Sequence, residues 1–351
     1  MDIQDQRKKT QLHDSPSREF STRRVEQQSR ERLFRKSLFL IPLILACAIQ
    51  VEGTEKASSF RSVENEEGLL ILEGDQKVLF YQRKTKSLDG RFPRANYVHP
   101  LYDLDGNVLT EDFPDDHLHH RGIFWTWHQL FVGDKRIGDP WIAKDSIWDV
   151  VDVKFAVEKK SCEMTASILW KSPLWADDSG QPKPLVTETT TIRIHQAEAN
   201  HRMIDFRIQL LAMEKDVRIG GSEDKKGYGG FCTRFRLPDN IRFTGRAGTV
   251  TPKVIAVEAG PWMEMTGAFV KSRLDGITIL CHPTLPGFPQ RWILRNRNSM
   301  QNPVYPGREA VLLSQTRPLD LNYRLVIHRG EVDKATIEKW QREYAAMQIG
   351  K

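Results

Sequence analysis

The residues best suited to chemistry are histidines, four of which lie between residues 117 and 128. Imidazoles two positions apart on an extended segment project to the same face, a spacing that suits a metal ion or a polar ligand. On such a segment His117 and His119 share one face, while His120 and His128 share the other. All four meet one ligand only if a turn or bulge intervenes, which Gly122 would permit. His117 and His119 are the candidate metal ligands, and a histidine-rich loop that only decorates the surface is the alternative.

A carboxylate that could work with these imidazoles is predicted from a later strand. Glu188 lies on the apolar-leaning face of an alternating, β-branched segment at residues 184–195. A half-buried Glu tends to have its pKa raised, which suits acid–base work. The predicted catalytic residues are therefore His119, His120 and Glu188.

Arginines and further histidines are predicted to hold a substrate. A guanidinium can clamp an anion or a pair of hydroxyls, and Arg234 ends a glycine-rich stretch, residues 226–234, that lets the backbone approach a ligand. A tight β-turn is the alternative for this stretch. His282 and His328 each end an apolar strand, where each could equally be a structural side chain. The predicted substrate-binding residues are Arg94, His99, His117, Arg121, His128, Arg234, His282 and His328.

Aromatic residues favour the same kind of ligand. The chain contains nine tryptophans, and aromatic faces pack against the C–H surfaces of sugars while planar polar groups bind the hydroxyls. Most tryptophans of a folded domain nevertheless lie in its core, and we expect that here.

The elements that must position these residues are strands. Period-two alternation of apolar and polar residues is typical of strands with one buried face. It predicts strands at residues 152–157, 163–170, 184–195, 203–211, 276–282 and 321–328. The first two should form a hairpin. Helix periodicity is confined to the C-terminus, where Asp333 is the predicted N-cap.

This pattern predicts an all-β fold, a large antiparallel β-sandwich with a short C-terminal helix. A doubly wound α/β fold is disfavoured because it needs helices on both faces of a parallel sheet. A chain of 351 residues is long enough for one large β domain, expected at residues 58–351.

Charge and cysteine content exclude some functions. Of the net charge of +6, residues 1–37 carry +4, which leaves only +2 for the rest of the chain. A nucleic-acid surface would need a stripe of Lys and Arg, and none is evident. Cys162, Cys232 and Cys281 include no Cys-x-x-Cys pair that would indicate zinc, and we expect them to be buried as small hydrophobic side chains.

An export signal is predicted near the N-terminus. A basic patch at residues 32–36 precedes an apolar segment, residues 38–50, that contains Ala46-Cys47-Ala48 as a cleavage site. The apolar run is short against the ~20 residues of a spanning helix, and the polar residues 1–37 are expected to be disordered. We therefore expect a periplasmic or extracellular protein. A single N-terminal anchor and a lipoprotein attached at Cys47 are the alternatives.

Several motifs together indicate a family. They are Tyr97-Val98-His99-Pro100-Leu101, Asp116-His117-Leu118-His119-His120-Arg121-Gly122, Gly260-Pro261-Trp262, His282-Pro283, Arg291-Trp292 and Val326-Ile327-His328-Arg329-Gly330. From about residue 60 to 347 the chain thereby resembles the methane oxygenase PmoA-like family of exported bacterial proteins. The resemblance implies a galactose mutarotase-like supersandwich and genomic proximity to sugar-metabolising genes. It does not imply methane oxidation, which would need several spans of about 20 apolar residues.

The leading hypothesis is an exported protein that binds or transforms a sugar or an oxidised sugar by His/Glu acid–base chemistry. A non-catalytic carbohydrate-binding module and a metal-dependent enzyme that uses residues 117–128 are the alternatives. The expected partner is a small carbohydrate, without nucleic acid and without multi-span membrane insertion. The sequence identifies neither a cofactor nor an oligomeric state.

Overall fold

The computed structural model describes residues 60–270 and 273–348, which are built mostly from strands. The predicted all-β fold with a C-terminal helix is confirmed. The polar extension at residues 1–37 and the apolar segment at residues 38–50, with Cys47, lie outside the described residues.

The largest sheet of the described residues has nine strands in the order β10-β11-β12-β13-β24-β20-β19-β16-β17, all antiparallel to their neighbours. The strands are β10 (Ile147–Val157), β11 (Ser161–Ala176), β12 (Pro182–His195), β13 (His201–Ala212), β16 (Arg242–Gly245), β17 (Gly248–Thr249), β19 (Trp262–Val270), β20 (Arg273–Cys281) and β24 (Leu319–Arg329). All six predicted strands fall in this sheet. The predicted hairpin is also confirmed, because β10 pairs with β11.

A second sheet of the described residues has six strands in the order β1-β2-β3-β6-β7-β15. They are β1 (Phe60–Glu64), β2 (Gly68–Glu73), β3 (Gln76–Gln82), β6 (Tyr97–Leu101), β7 (Ile123–Thr126) and β15 (Gly230–Thr233). Its inner face packs on the nine-stranded sheet. Trp125 of β7, for example, meets Phe206 of β13 with ring centroids 6.5 Å apart. One apolar core with residues from both sheets therefore holds the sandwich together.

A helix covers the outer face of the large sheet. It is α1 (Lys334–Ala345), and the Asp333 side chain accepts a hydrogen bond from the Thr336 N–H, so the predicted N-cap is confirmed. Ile337, Trp340 and Tyr344 pack on Val326 of β24. Because of this cover, β24 is buried on both faces instead of alternating between core and solvent.

Nine short strands complete the described structure. They are β4 (Lys86–Leu88), β5 (Arg91–Arg94), β8 (Gln129–Val132), β9 (Lys135–Gly138), β14 (Val217–Gly220), β18 (Val257–Glu258), β21 (Arg291–Ile293), β22 (Asn302–Pro303) and β23 (Val311–Leu312). Strand β9 runs into a 3-10 turn, Pro140–Ile142, with the Asp139 side chain as its cap. This turn forms part of a cavity wall.

Several expectations about side chains are confirmed. Most tryptophans are buried, and the cysteines of the described residues, Cys162, Cys232 and Cys281, are free and buried.

Within residues 60–270 and 273–348, no helix has the length and apolar character needed to cross a membrane.

Candidate functional site

Two consecutive tight turns bring three of the four histidines together, His117, His119 and His120, and the fourth, His128, follows strand β7. The His117 N–H donates to the Pro114 carbonyl at 2.9 Å, and the His120 N–H donates to the His117 carbonyl at 2.8 Å. The segment is therefore not extended, and the two-faced arrangement of an extended strand does not arise. Gly122 serves a different purpose from the predicted bend, because a Cβ at this position would lie 2.2 Å from the Val98 carbonyl oxygen. It allows the chain to pass close to β6.

The histidines line a cavity of about 220 Å³, which we call the His cavity. Its wall consists of His117, His119, His120, His128, Trp141, Ile142, Lys226, Tyr228, Ile293, Arg295, Ser299 and Met300. Pockets for drug-sized ligands usually measure about 300–1,000 Å³. The His cavity is therefore suited to a smaller group, such as one sugar ring.

His128 has an unused nitrogen at this wall. Its Nδ1 lies 3.0 Å from Asp139 Oδ2, and since a carboxylate only accepts, the neutral imidazole donates from Nδ1 and keeps a lone pair on Nε2. This Nε2 is buried and has no hydrogen-bond partner in the described part of the chain. The ring stacks on Trp141 with centroids 5.2 Å apart, which fixes its plane. His128 is therefore an oriented base.

His117 belongs to a second carboxylate–imidazole pair. Its Nδ1 lies 2.6 Å from Asp116 Oδ2, and Arg234 donates to both oxygens of Asp116 at 2.9 and 2.6 Å. Glu111 accepts from Arg234 Nε at 2.7 Å. Burial raises the pKa of Asp116, but hydrogen bonds from Arg234 and His117 outweigh burial, so its pKa lies below the usual value. Asp116 thus remains an anion that orients His117.

His119 and His120 are neutral imidazoles at physiological pH. Burial, reinforced by His117, lowers the pKa of His119 to about 4. Burial, reinforced by His119, lowers the pKa of His120 further still. The His120 ring stacks on His117 at 4.6 Å with 3° between the planes, and its Nδ1 is buried without a partner within the described residues. Neutral rings of this kind can both donate to and accept from hydroxyl groups.

The three predicted substrate-binding arginines hold the protein itself instead. The buried Arg94 donates to the carbonyls of Pro140 and Trp141 and lies 4.2 Å from the centroid of the Trp148 ring. Burial, reinforced by the charge of Arg121, lowers the pKa of Arg94 to about 9. Arg94 therefore positions the turn that carries Trp141.

Arg121 fixes the histidine turn in a similar way. It donates to the carbonyls of Leu118 and His120 at 2.9 and 3.0 Å and stacks on Phe113 at 3.6 Å. Its side chain has no exposed surface. Together with Arg234, whose fork holds Asp116, it positions the imidazoles and does not reach the cavity.

Glu188 lies away from the His cavity. It is completely buried between the two sheets, where it accepts from Asn96 Nδ2, Trp125 Nε1, Trp170 Nε1 and the Thr190 hydroxyl. Burial raises its pKa, and these four donors oppose the rise. Glu188 does not line the His cavity, and its four hydrogen bonds link the two sheets. Its predicted catalytic role stays a prediction, and the carboxylate–imidazole pairs are the groups that the structure places at the cavity.

The other predicted binding histidines, His99, His282 and His328, do not line the His cavity. His99 Nδ1 lies 3.0 Å from the Thr110 hydroxyl. His282 packs edge-on to Tyr344 of α1 at 5.0 Å. His328 lies under the same helix, and its ring fills the space left by Gly276, where a Cβ would approach it to 2.1 Å. These positions fit structural side chains, the alternative already noted for His282 and His328.

The metal alternative rested on His117 and His119, whose rings meet edge-on with centroids 5.7 Å apart. In the part of the chain that the structure describes, no group of three or more His, Cys, Asp or Glu side chains could hold a metal ion. The metal-dependent alternative stays a prediction.

Sequence reasoning missed several residues of the site. Asp139 and Arg295 carry no motif, and their side chains approach the histidines only through the fold. The Asp139-Pro140 pair was an available turn signal, and it would have pointed to Trp141. Tyr228 meets the Trp141 ring at 4.6 Å, and it lies within the glycine-rich stretch that drew attention for its backbone.

Residues 69–341 match a family of unknown function (DUF6807). The chain belongs to this family. The resemblance to the methane oxygenase PmoA-like family is wrong, because DUF6807 is the family that matches and nothing in the comparisons points to a PmoA-like family. No curated protein matches the sequence.

Solved structures of sugar epimerases are also similar to this chain. Galactose 1-epimerase from Lactobacillus acidophilus NCFM matches at 8% identity with a TM-score of 0.36, over 79% of this chain and 99% of that one. A GalM/aldose epimerase homologue from C. elegans matches at 10% identity with a TM-score of 0.29, over 79% and 100%. At these scores the likeness carries no argument about substrate or catalytic residues, which must come from the site itself.

Proposed function

We propose that this protein binds a small sugar or oxidised sugar in the His cavity and transfers protons on it. One observation supports this above all. Two carboxylate–imidazole pairs, Asp139–His128 and Asp116–His117, line the same small cavity. A positioned base and a positioned acid are what proton transfer to and from a bound substrate requires.

The roles follow from the hydrogen bonds. His128 Nε2 takes a proton from the anomeric hydroxyl, or from a carbon beside a carbonyl. His117, in its protonated form, gives a proton to the ring or carbonyl oxygen. On the anomeric route the bond between C1 and the ring oxygen breaks as C1 becomes a carbonyl, and reclosure on the other face of that carbonyl reverses both proton transfers. On the carbon route the carbonyl becomes an enol, and return of a proton to carbon with loss of the enol proton completes an isomerisation. Either route leaves both imidazoles as they began. Asp139 and Asp116 orient the two rings and stabilise whichever is positively charged.

The remaining wall fits a sugar. Trp141 and Tyr228 present aromatic surface to the cavity, which suits the C–H face of a pyranose. The neutral His119 and His120 can bind hydroxyl groups as donor or acceptor. A non-catalytic binding module would use this same wall, so the distinction between the two functions is turnover.

The test is a ligand screen with the full chain. Thermal stability is measured with monosaccharides, their uronates, 3-keto sugars and divalent metals, and proton transfer is followed by proton NMR in D₂O. A ligand at 100 times its dissociation constant should stabilise by about 2.7 kcal/mol. The comparison is between the wild type and a His119→Ala/His120→Ala double variant.

A matched control is available in His195→Ala. His195 forms a His–Asp pair of similar length with Asp205, 2.8 Å apart, but it does not line the His cavity. A sugar shift lost only in the double variant, with either faster interconversion of anomers or deuterium uptake at a sugar carbon, supports the proposal. Binding with neither reaction would favour the binding module, and a shift with metal alone would favour the metal-dependent enzyme. Stabilisation by no compound would contradict all three.

We also propose that the chain is exported, on the basis of the basic patch and apolar segment at residues 32–50. Fractionation of cells that express the full chain should find it outside the cytoplasm. Replacement of Arg32, Arg35 and Lys36 by Gln should retain it inside. Cytoplasmic protein from the unmodified chain would contradict export.

A further inference from the structure

The wall of the His cavity is positively charged. Lys226 and Arg295 line it, and no Asp or Glu side chain of the described residues does so. Asp139 and Asp116 lie behind the imidazoles and are engaged with them. The hydroxyls of a neutral sugar can accept hydrogen bonds from Lys226 and Arg295, but an anionic group accepts charge-assisted hydrogen bonds that are shorter and stronger.

Arg295 is held in place but keeps donors free. Its Nη1 donates to the carbonyls of Lys253 and Leu294 at 2.8 and 2.7 Å, and its Nη2 donates to the Val254 carbonyl at 2.9 Å. A guanidinium has five N–H donors. Two therefore remain, on the adjacent Nε and Nη2, a pair that can hold two oxygens of one anion. No ion pair joins Arg295 to a carboxylate of the described residues.

A second cavity, of about 510 Å³, adjoins the first through Lys226, which lines both. We call it the basic cavity; its charged lining residues are Lys225, Lys226, Arg291 and Arg308. Within the described chain no acidic side chain lines it. Lys226 is paired with Asp224 at 3.0 Å, and Arg308 approaches Glu309 only at 4.0 Å. Arg291 donates to the Ala256 carbonyl at 2.8 Å, which leaves its charge uncompensated.

We propose that the substrate is an acidic saccharide of at least two units. One ring occupies the His cavity, its anionic group binds Arg295, and the next acidic unit lies in the basic cavity over Lys225 and Arg291. The class is defined by a negative group on the sugar, either a carboxylate or a sulfate. This inference rests on the proposed function in placing the first ring among the histidines.

The experiment is calorimetric titration of the full chain at low and high salt. The probes are the pairs galactose with galacturonate and glucose with glucuronate, together with galactose 6-sulfate and digalacturonate. The expected result is that an acidic member binds at least about tenfold more tightly than its neutral partner, with the advantage reduced by salt. Carboxylate and sulfate are distinguished by whether galacturonate or galactose 6-sulfate binds better.

Substitutions test which basic residue binds each acidic unit of the saccharide. Arg295→Gln should abolish the preference for the acidic member, and Lys225→Gln/Arg291→Gln should remove the added affinity of digalacturonate. If Arg295→Gln does not fold, Arg295→Lys keeps the charge without the fork and should lose most of the preference. Arg61→Gln, an exposed charge on β1 that lines neither cavity, should change nothing.

The outcomes separate the two proposals. Equal affinity for both members of every pair, or a preference that survives Arg295→Gln, would overturn the acidic-saccharide inference even if His128→Gln abolishes turnover. Acidic sugars that depend on Arg295 but bind and react normally in His128→Gln would sink the proposed function and leave the charge contact standing. If no sugar binds, both fail.

Discussion

The cavity and the interior of the sandwich each contain a carboxylate that accepts hydrogen bonds, and the two hydrogen-bond networks differ in whether every polar atom has a partner. Between the sheets, two oxygens of Glu188 receive four hydrogen bonds, and no polar atom of that group is left over. At the cavity, Asp139 accepts a hydrogen bond from Nδ1 of His128, and Nε2 of the same ring has no hydrogen-bond partner in the described chain.

This difference distinguishes a carboxylate that stabilises the fold, Glu188, from one that orients an imidazole at the cavity, Asp139. Burial raises the pKa of Glu188 although it lies between the sheets, so a raised pKa does not by itself identify a catalyst. A saturated buried network stabilises one arrangement of the chain. An oriented imidazole at a cavity wall, by contrast, keeps a nitrogen lone pair that has no protein partner. A bound ligand can therefore give its proton to that nitrogen.

The largest expected effect is on turnover. His128→Gln removes the base and keeps similar size, so kcat for the sugar identified in the screen should fall about 10²–10⁴-fold. The melting temperature should stay within a few degrees, since His128 is partly exposed. His195→Gln is the control and should retain activity. Equal losses of kcat in both variants would show that His128 contributes no more to turnover than a His–Asp pair outside the cavity.

The interior carboxylate should show the opposite behaviour. Glu188→Gln loses an acceptor for Trp125, Trp170 or Thr190, and a buried donor left without an acceptor typically costs about 1–3 kcal/mol. Urea unfolding should register this loss, while kcat per folded molecule stays unchanged. Glu163→Gln, which loses an exposed contact with Arg193, should cost at most ~1 kcal/mol. Loss of turnover in folded Glu188→Gln would restore it as a catalyst.

A smaller effect is expected from the residue behind His117. Arg234→Lys keeps the charge but loses the two-pronged hold on Asp116, so kcat/KM should fall about tenfold. The effect should appear in the pH profile of kcat, since His117 loses its oriented partner. Arg193→Lys, which contacts Glu158 and Glu163 on β10–β11, should leave the profile unaltered. An unaltered profile in Arg234→Lys would remove His117 from the mechanism.

The smallest effect is the dependence of stability on pH. Burial lowers the pKa of His119 from 6.5 to about 4, so between these values the unfolded chain carries a proton at His119 and the folded chain does not. The free energy of unfolding therefore falls as the pH drops through this window. In His119→Gln the free energy of unfolding should fall less steeply with decreasing pH, and the change in slope should correspond to at most one bound proton. An identical slope would mean that His119 is protonated in the folded protein.

The strands could be predicted from the sequence because burial of one face imposes a local, two-residue pattern. Residues 184–195 show it plainly, with Val186, Ile192 and Ile194 all fully buried. The same pattern placed Glu188 on the inner face correctly but could not show that four donors already occupy it. Three of those donors, Asn96, Trp125 and Trp170, come from other segments of the chain.

The site was harder to predict for the same reason. That the histidines form a unit was visible in their spacing, but the turns that unite them depend on hydrogen bonds within residues 114–120. Arg234 and Asp116 are 118 positions apart, so nothing local showed that this arginine is engaged. From the sequence alone, an arginine that is free to bind a ligand cannot be distinguished from one whose guanidinium is hydrogen-bonded within the protein.

The most direct test of the central claim is the side-chain nitrogen spectrum of ¹⁵N-histidine protein during titration with galacturonate. We expect the signals from His117, His119, His120 and His128 to shift together, while those of His195, His282 and His328 stay fixed. Each signal is assigned by its loss in the corresponding His→Gln variant. Shifts confined to the second group, with the four cavity histidines unchanged at saturation, would contradict the claim that the sugar binds among them.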